Sequence, residues 1–253
     1  FIIKGFITAI LLASFMYLSY FEVEYKILNT ILGLFAIYLL LVIPKKALFV
    51  AGFLSGVLWC NWMAVSMQYY DLTYLAPVFI AGISFVYAII FYLFAFYDRL
   101  VFRILTIFAF TFIAPFGFNW MKFELIFVDS YIDISKIAFF LVLFSFYLII
   151  KLKRFKILGI IPILFALNLG KGVYIQNPEA SIYMPQMNIK QELKWEKDYQ
   201  RVLHENNFEE IAKAIEVKKD LVVLPETAFT TVLNRNAELL ERLKEFSMEI
   251  DII

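Results

Sequence analysis

Between Ile2 and Leu169 the sequence runs through seven apolar stretches of helical length, separated by short polar connections. They extend from Ile2 to Tyr20, Ile27 to Ile43, Ala47 to Tyr69, Leu75 to Tyr97, Ile104 to Asn119, Ser135 to Ile150 and Phe155 to Leu169. A hydrocarbon core about 30 Å thick is crossed by about 20 apolar residues in a helix, so each stretch is a candidate span. A water-soluble core could not hide them all. Hydrophobic residues make up 62% of the 253 positions and charged ones 18%, against roughly half and a quarter in soluble domains. The pattern predicts a polytopic α-helical membrane bundle of about seven spans. The seventh stretch is short and contains Pro162. Pro44, Pro77 and Pro115 fall near span ends or at kinks, where neighbouring helices satisfy the freed carbonyls.

The connections set an orientation, because Lys and Arg are retained on the cytoplasmic side. Lys4, Lys45, Lys46, Arg99, Arg103, Lys151, Lys153, Arg154 and Lys156 occupy alternate connections, nine basic residues on one face. The other face holds three, Lys26, Lys122 and Lys136, together with Glu22, Glu24, Asp71, Glu124, Asp129 and Asp133. This bias puts the N-terminus inside and, after seven crossings, everything beyond Gly170 outside. The 29 Phe and 15 Tyr are read as bilayer packing. In Trp59-Cys60-Asn61-Trp62 the polar amide is assigned to an interfacial aromatic belt, hydrogen-bonded to a neighbouring helix; the alternative is a contact with a lipid substrate.

Beyond residue 171 the chain changes character. Residues 1–171 carry 13 Lys+Arg against 7 Asp+Glu, a net of +6, whereas residues 172–253 carry 10 against 15, a net of −5. Two domains are predicted, 1–171 in the membrane and 172–253 in water. Ser181 to Met184 and Leu221 to Leu224 have strand length and are bounded by proline. Between them Tyr199, Val202, Leu203, Phe208, Ile211, Ala212 and Ile215 keep helical spacing, with a break expected at Asn206-Asn207. Ala237 to Ile250 repeats a helical stripe through Leu240, Leu243 and Phe246, and Asp251-Ile252-Ile253 begins a third strand. This is the opening of an α/β layered unit. The first residue is Phe rather than Met, and the last residues start a new element, so the chain reads as a piece cut at both ends.

Two segments carry a family resemblance. PQMNIKQELKW from Pro185 to Trp195, followed by DLVVLPETAF from Asp220, resembles the start of the nitrilase-like domain of bacterial apolipoprotein N-acyltransferases. Seven spans ahead of an outward-facing nitrilase-like domain is also that family's layout, and Trp120-Met121-Lys122-Phe123-Glu124 resembles its Trp-x-x-x-Glu element. One departure is plain: where many members carry Gly-Phe-Pro-Trp before the sixth span, this chain reads Phe127-Val128-Asp129-Ser130. No lipid-contact role passes to those positions.

The resemblance implies a membrane bundle followed by the N-terminal part of an αββα sandwich. It also implies a two-step transfer of a fatty acyl group. A cysteine takes the acyl chain from a phospholipid as a thioester, then passes it to the N-terminal diacylglyceryl-cysteine amine of a lipoprotein. The family's triad is Glu-Lys-Cys, and its glutamate follows the proline of the second strand, which is Glu226. Trp195, Trp120 and Glu124 are the implied substrate contacts. The implied location is the bacterial inner membrane, with the C-terminal domain on the periplasmic face. The lysine and cysteine belong beyond Ile253, so the chain as given is expected to be inactive and residues 172–253 marginally folded.

Chemistry asks for such a glutamate independently. A thiol with pKa near 8.5 is only partly ionised at neutral pH, and an attacking ammonium must shed a proton, so one carboxylate base serves both half-reactions. The apolar run Leu221 to Leu224 is expected to desolvate Glu226 and raise its pKa. Taken alone, an apolar run entering Pro-Glu-Thr is a strand meeting a turn; the coupling to the Pro-Gln-x-Asn and Lys-Trp elements assigns it to catalysis. Trp195 reads equally as a buried anchor at a helix start, Gln186 and Asn188 as closing the first strand, and His204 as solvated. Cys60, the single cysteine, is a poor nucleophile in a membrane span. One histidine gives no zinc site, no cofactor motif is present, and no basic-aromatic patch suggests nucleic acid. The competing readings are a membrane transporter and a catalytically inactive lipid- or lipoprotein-binding membrane protein.

Overall fold

A computed structural model describes residues 1–23, 25–113, 121–152, 154–168 and 179–253. The chain separates into two compact units, Phe1–Gly172 and Val173–Ile253.

The first unit is helical. Helices α1 (Ile2–Tyr20), α2 (Lys26–Val42), α3 (Lys45–Val65), α4 (Ala76–Phe94), α5 (Leu100–Phe110) and α6 (Lys136–Lys151) follow one another, and a 3-10 turn over Lys156–Ile160 runs into the short α7 (Ile161–Phe165). Among the described residues three helical segments, Ile2–Tyr20, Lys45–Gln68 and Thr73–Phe94, are long and apolar enough to cross a membrane. The segment Lys156–Phe165 is stretched by its 3-10 turn, which rises about 2.0 Å per residue instead of 1.5. It runs back along α6: Gly159 packs on Ile149 and Ser145, and Leu167 forms an antiparallel bridge with Ile132, just ahead of α6. The fifth helix runs from Leu100 to Phe110 and gives way to a turn, earlier than the expected span Ile104–Asn119; the last six residues of that span, from Ala114, and Leu169 of the seventh lie outside the described residues.

Small residues bring α3 and α4 together. Gly52 and Gly56, four apart on one face, meet the backbone of α4 so closely that a Cβ on Gly56 would stand 2.6 Å from Ser84 Cα, and one on Gly52 would run into Tyr87 O. Such close approach is how helices associate where lipid removes the hydrophobic driving force. The phenylalanines do two jobs. Phe6, Phe35, Phe85 and Phe96 are exposed, whereas Phe91, Phe123, Phe127 and Phe139 are wholly buried. Phe123 lies at the centre of a ring cluster, with centroids 5.6 Å from Phe91 and 5.7 Å from both Phe94 and Phe110. It stands on a 3-10 turn, Phe123–Phe127, that inserts into the bundle.

Two polar devices hold helix ends. Pro44 has no N–H for the carbonyl four residues back, and Arg103 replaces it: its Nη1 donates to the carbonyls of Leu40, Leu41 and Ile43 at 3.4, 2.9 and 2.8 Å. A cation at a helix C-terminus is also favoured by the helix dipole. Asn61 Nδ2 donates to Tyr17 Oη on α1 at 3.2 Å, and that hydroxyl donates to Leu58 O, the inter-helix bond expected of the belt. Cys60 is buried in α3.

The second unit contains three short parallel strands, β1 (Ile182–Tyr183), β2 (Leu221–Val222) and β3 (Asp251–Ile252), in the order β1-β2-β3, with Ile182 opposite Leu221 and Leu221 opposite Asp251. Helices α8 (Gln191–Lys194) and α9 (Lys197–Glu216) join β1 to β2, and α10 (Ala237–Phe246) joins β2 to β3. Both α9 and α10 cover one face. Phe208, Ile211, Ala214, Val222 and Ile250 form its core, flanked by Tyr183, Leu243, Phe246 and Ile252. Successive strand residues alternate between faces, so Ile182 and Leu221 point to the opposite face, where Ile182 is exposed and Leu221 half-buried.

Two expectations are corrected here. Helix α9 runs unbroken through Asn206-Asn207, because the Asn207 side chain is wholly buried and donates to Leu203 O within the helix and to Ala228 O outside it. The apolar stripe uses Ala214, not Ala212, which is exposed, and Val202 is 47% exposed.

Candidate active-site turn at Glu226

The turn after β2 is built from both sides. Val223 N donates to Tyr183 O and Leu224 N to Ile253 O, so the central strand stays tied to both neighbours up to Pro225. The proline ends the ladder. Residues Pro225 to Ala228 then reverse direction, closed by Ala228 N donating to Pro225 O at 3.1 Å. Glu226 and Thr227 occupy the corner, and Thr227 has φ +63°. That left-handed conformation suits glycine and is a genuine outlier for a β-branched residue.

Three side chains from α8 and α9 hold the turn. Asn207 Nδ2 donates to Ala228 O at 2.6 Å, Gln200 Nε2 to Thr230 O at 3.5 Å, and Lys194 Nζ to Thr227 Oγ1 at 3.3 Å. Phe229 seats its ring 5.4 Å from Phe208 and 5.5 Å from His204. His204 is thus half-buried rather than solvated, and burial against this ring pushes its pKa below the usual imidazole value, with Glu205 opposing.

A cleft opens on either side. One, of about 430 Å³, lies between the Met184–Ile189 segment and the turn, with Lys194 and Asn207 in its wall. The other, of about 470 Å³, lies between the turn and α10, floored by Leu243 and Ile252. The turn stands at the carboxyl ends of the parallel strands, where open α/β sheets bind ligands.

The structure separates the residues singled out by sequence. Glu226 is at the corner and exposed, not desolvated: the ladder of the apolar run ends at Leu224, and Glu226 stands in the turn beyond Pro225. Trp195, expected as readily to be a buried anchor, is 59% exposed at the junction of α8 and α9. Gln186 Nε2 donates to Asn188 Oδ1 at 3.4 Å. Glu124 lies in the helical unit, buried on the inserted turn. It pairs with Lys136 Nζ at 3.1 Å, and that ammonium also donates to Thr111 O at 2.8 Å and lies over the Phe112 ring. Trp120 lies outside the described residues. Asn207 was missed as a functional residue. The available signal was its place on the stripe Leu203, Asn207, Ile211, Ala214, since a polar side chain on an apolar face must find partners.

Comparison with known proteins fixes the lineage. Residues 1–169 match the family description "Apolipoprotein N-acyltransferase integral membrane domain". The chain belongs to the apolipoprotein N-acyltransferase family. It is similar to the apolipoprotein N-acyltransferase of Wolinella succinogenes, at 35% identity over 97% of this chain and 59% of the relative. The one from Campylobacter jejuni is 33% identical over 100% of this chain and 58% of its own length. That of Helicobacter hepaticus is 30% identical over 93% and 60%. The chain therefore spans about three-fifths of the length of these relatives. Their integral membrane domain, together with the three long apolar helices, makes this an acyltransferase-family membrane protein.

Proposed function

We propose that this chain carries the membrane domain, residues 1–171, and the first part of the nitrilase-like catalytic domain, residues 172–253, of an enzyme that acylates the N-terminal cysteine amine of lipoproteins. The observation that carries the reading is Glu226, held at the corner of a braced turn at the carboxyl edge of a parallel sheet, in a chain whose family is named for N-acyl transfer. The nucleophilic cysteine and the oxyanion-stabilising lysine are placed in the part of the relatives' length that this chain does not span. Cys60, buried in α3, has no part in it.

In the first half-reaction Glu226 takes the thiol proton as sulfur attacks the ester carbonyl of a phospholipid. The C–S bond forms, the C–O bond breaks, and the departing glycerol oxygen receives the proton, releasing a lysophospholipid. In the second the lipoprotein α-amine attacks the thioester carbonyl and gives its proton to Glu226. A C–N bond forms as C–S breaks, and the proton passes to the thiolate. Exposure of Glu226 fits this division of parts, since a base for lipid substrates needs covering by the remaining half of an αββα sandwich. The bare sheet face with Ile182 and Leu221 is the surface such a second sheet would cover.

Trp195, exposed beside the turn, is assigned to the acyl or lipoprotein chain, and Trp120 and Glu124 to substrate contact in the helical unit. Seven spans, in the inner membrane of a bacterium with the second unit on the periplasmic side, complete the proposal. It is supported by nine basic residues against three in alternate connections and by the return of Leu167 to Ile132. A full-length enzyme bearing Glu226→Gln tests the reading. Acyl transfer should fall by about 100-fold or more with membrane insertion unchanged; undiminished thioester formation and turnover would reduce Glu226 to a structural residue.

A further inference from the structure

Thr227 is out of place by its own conformational preference. A β-branched residue at φ +63° is strained where glycine would not be, so something at this position must use what glycine lacks. The structure supplies one partner: the hydroxyl accepts from Lys194 Nζ at 3.3 Å. Lys194 comes from the last residue of α8, just before the exposed Trp195, and lines the 430 Å³ cleft together with Thr227. Among the described residues this ammonium makes no ion pair with a carboxylate. The other two braces, Asn207 to Ala228 O and Gln200 to Thr230 O, grip backbone on the far side of the corner. Besides the backbone bond from Ala228 N to Pro225 O, the Lys194–Thr227 bond is, among the described residues, the side-chain hydrogen bond that acts on the corner itself, next to Glu226.

We propose that Lys194 and Thr227 are positioning residues for acyl transfer, a side-chain latch that sets the direction of the Glu226 carboxylate by holding the corner in its left-handed conformation. This rests on the reading of Glu226 as the general base. Without the latch the corner relaxes and the carboxylate swings, whereas the walls that the two clefts take from Met184–Ile189 and from α10 are untouched. The loss therefore falls on kcat and spares KM. Misplacement of a reacting group by about 1 Å costs roughly tenfold to a hundredfold in rate.

The test uses the full-length enzyme, assayed with phospholipid donor and lipoprotein acceptor. Thr227→Ser keeps the hydroxyl and should retain wild-type turnover. Thr227→Val keeps the shape and loses the hydroxyl, and its kcat should fall about tenfold or more with KM for phospholipid unchanged. Thr227→Gly loses the hydroxyl but takes the left-handed conformation without strain, so its kcat should fall less than that of Thr227→Val; a larger fall would overturn the latch as the means of holding the corner. Lys194→Ala should match Thr227→Val, the double variant should be no worse than either, and Lys194→Arg should recover part of the rate. Wild-type kcat in both Thr227→Val and Lys194→Ala would overturn the latch. Run beside them, Glu226→Gln separates the two ideas: an inactive Glu226→Gln with fully active latch variants sinks the latch alone, whereas an active Glu226→Gln sinks the base.

Discussion

Asn207→Asp places a carboxylate where the structure needs a donor, with no change in size. Asn207 is wholly buried, and its Nδ2 donates to Ala228 O at 2.6 Å and Leu203 O at 2.9 Å. Leu203 O keeps its helical bond, so there the loss is one net hydrogen bond, about 0.5–1.5 kcal/mol. Ala228 O is left facing an oxygen, a penalty of about 1–3 kcal/mol. The variant should lose about 2–4 kcal/mol, a large part of the 5–15 kcal/mol typical of a folded domain. Asn206→Asp, one residue away at a half-buried position, should cost less than about 1 kcal/mol. Were the Asn pair a helix break, both changes would be nearly neutral, because Asn and Asp have similar helix propensity. The burial raises the new carboxyl's pKa above its unfolded value. In the window between those two values the native state binds more protons than the unfolded one, so stability falls as pH rises. Denaturant titration read by pulse proteolysis of the second unit, with hydrogen exchange at the amides of residues 226–230, measures both effects. Equal stability of Asn207→Asp and Asn206→Asp, or no pH dependence, would refute the reasoning.

Two further outcomes are expected. His204 has its pKa lowered, chiefly by burial against Phe229, so the unfolded state takes up its proton first as pH drops. Stability of the second unit should be intact above about pH 6.5, the ordinary imidazole value, and decline below it until the native pKa is reached; His204→Gln should flatten that slope in pH-dependent hydrogen exchange, and an unchanged slope would assign it elsewhere. Reporters fused after Lys156 and after Glu179 should lie on opposite sides of the membrane, and a same-side result would remove the seventh crossing and place Glu226 in the cytoplasm.

Much of the helical half was legible because a bilayer leaves few options: every backbone polar group must be satisfied within the segment, so apolar length marks α1, α3 and α4, whereas the fifth stretch, read from Ile104 to Asn119, has its helix end at Phe110. The braced turn was legible as a place, since Pro225 closes an apolar strand and Glu226 follows it in a motif. Its construction was not. Whether Glu226 is desolvated, whether Trp195 is buried and what Asn207 does depend on atoms brought together from far along the chain: Lys194 meets Thr227 across 33 positions and Asn207 meets Ala228 across 21. Local propensity cannot register such pairs. An asparagine in mid-helix looks like a breaker until a carbonyl from another element is set against it, and a threonine gives no sign of a left-handed corner until a lysine holds its hydroxyl. Sequence determined that the first half is apolar enough for a membrane and that Glu226 follows its strand; tertiary structure decided the exposure of that carboxylate and what braces the turn, because burial and hydrogen-bond satisfaction are properties of the packed chain.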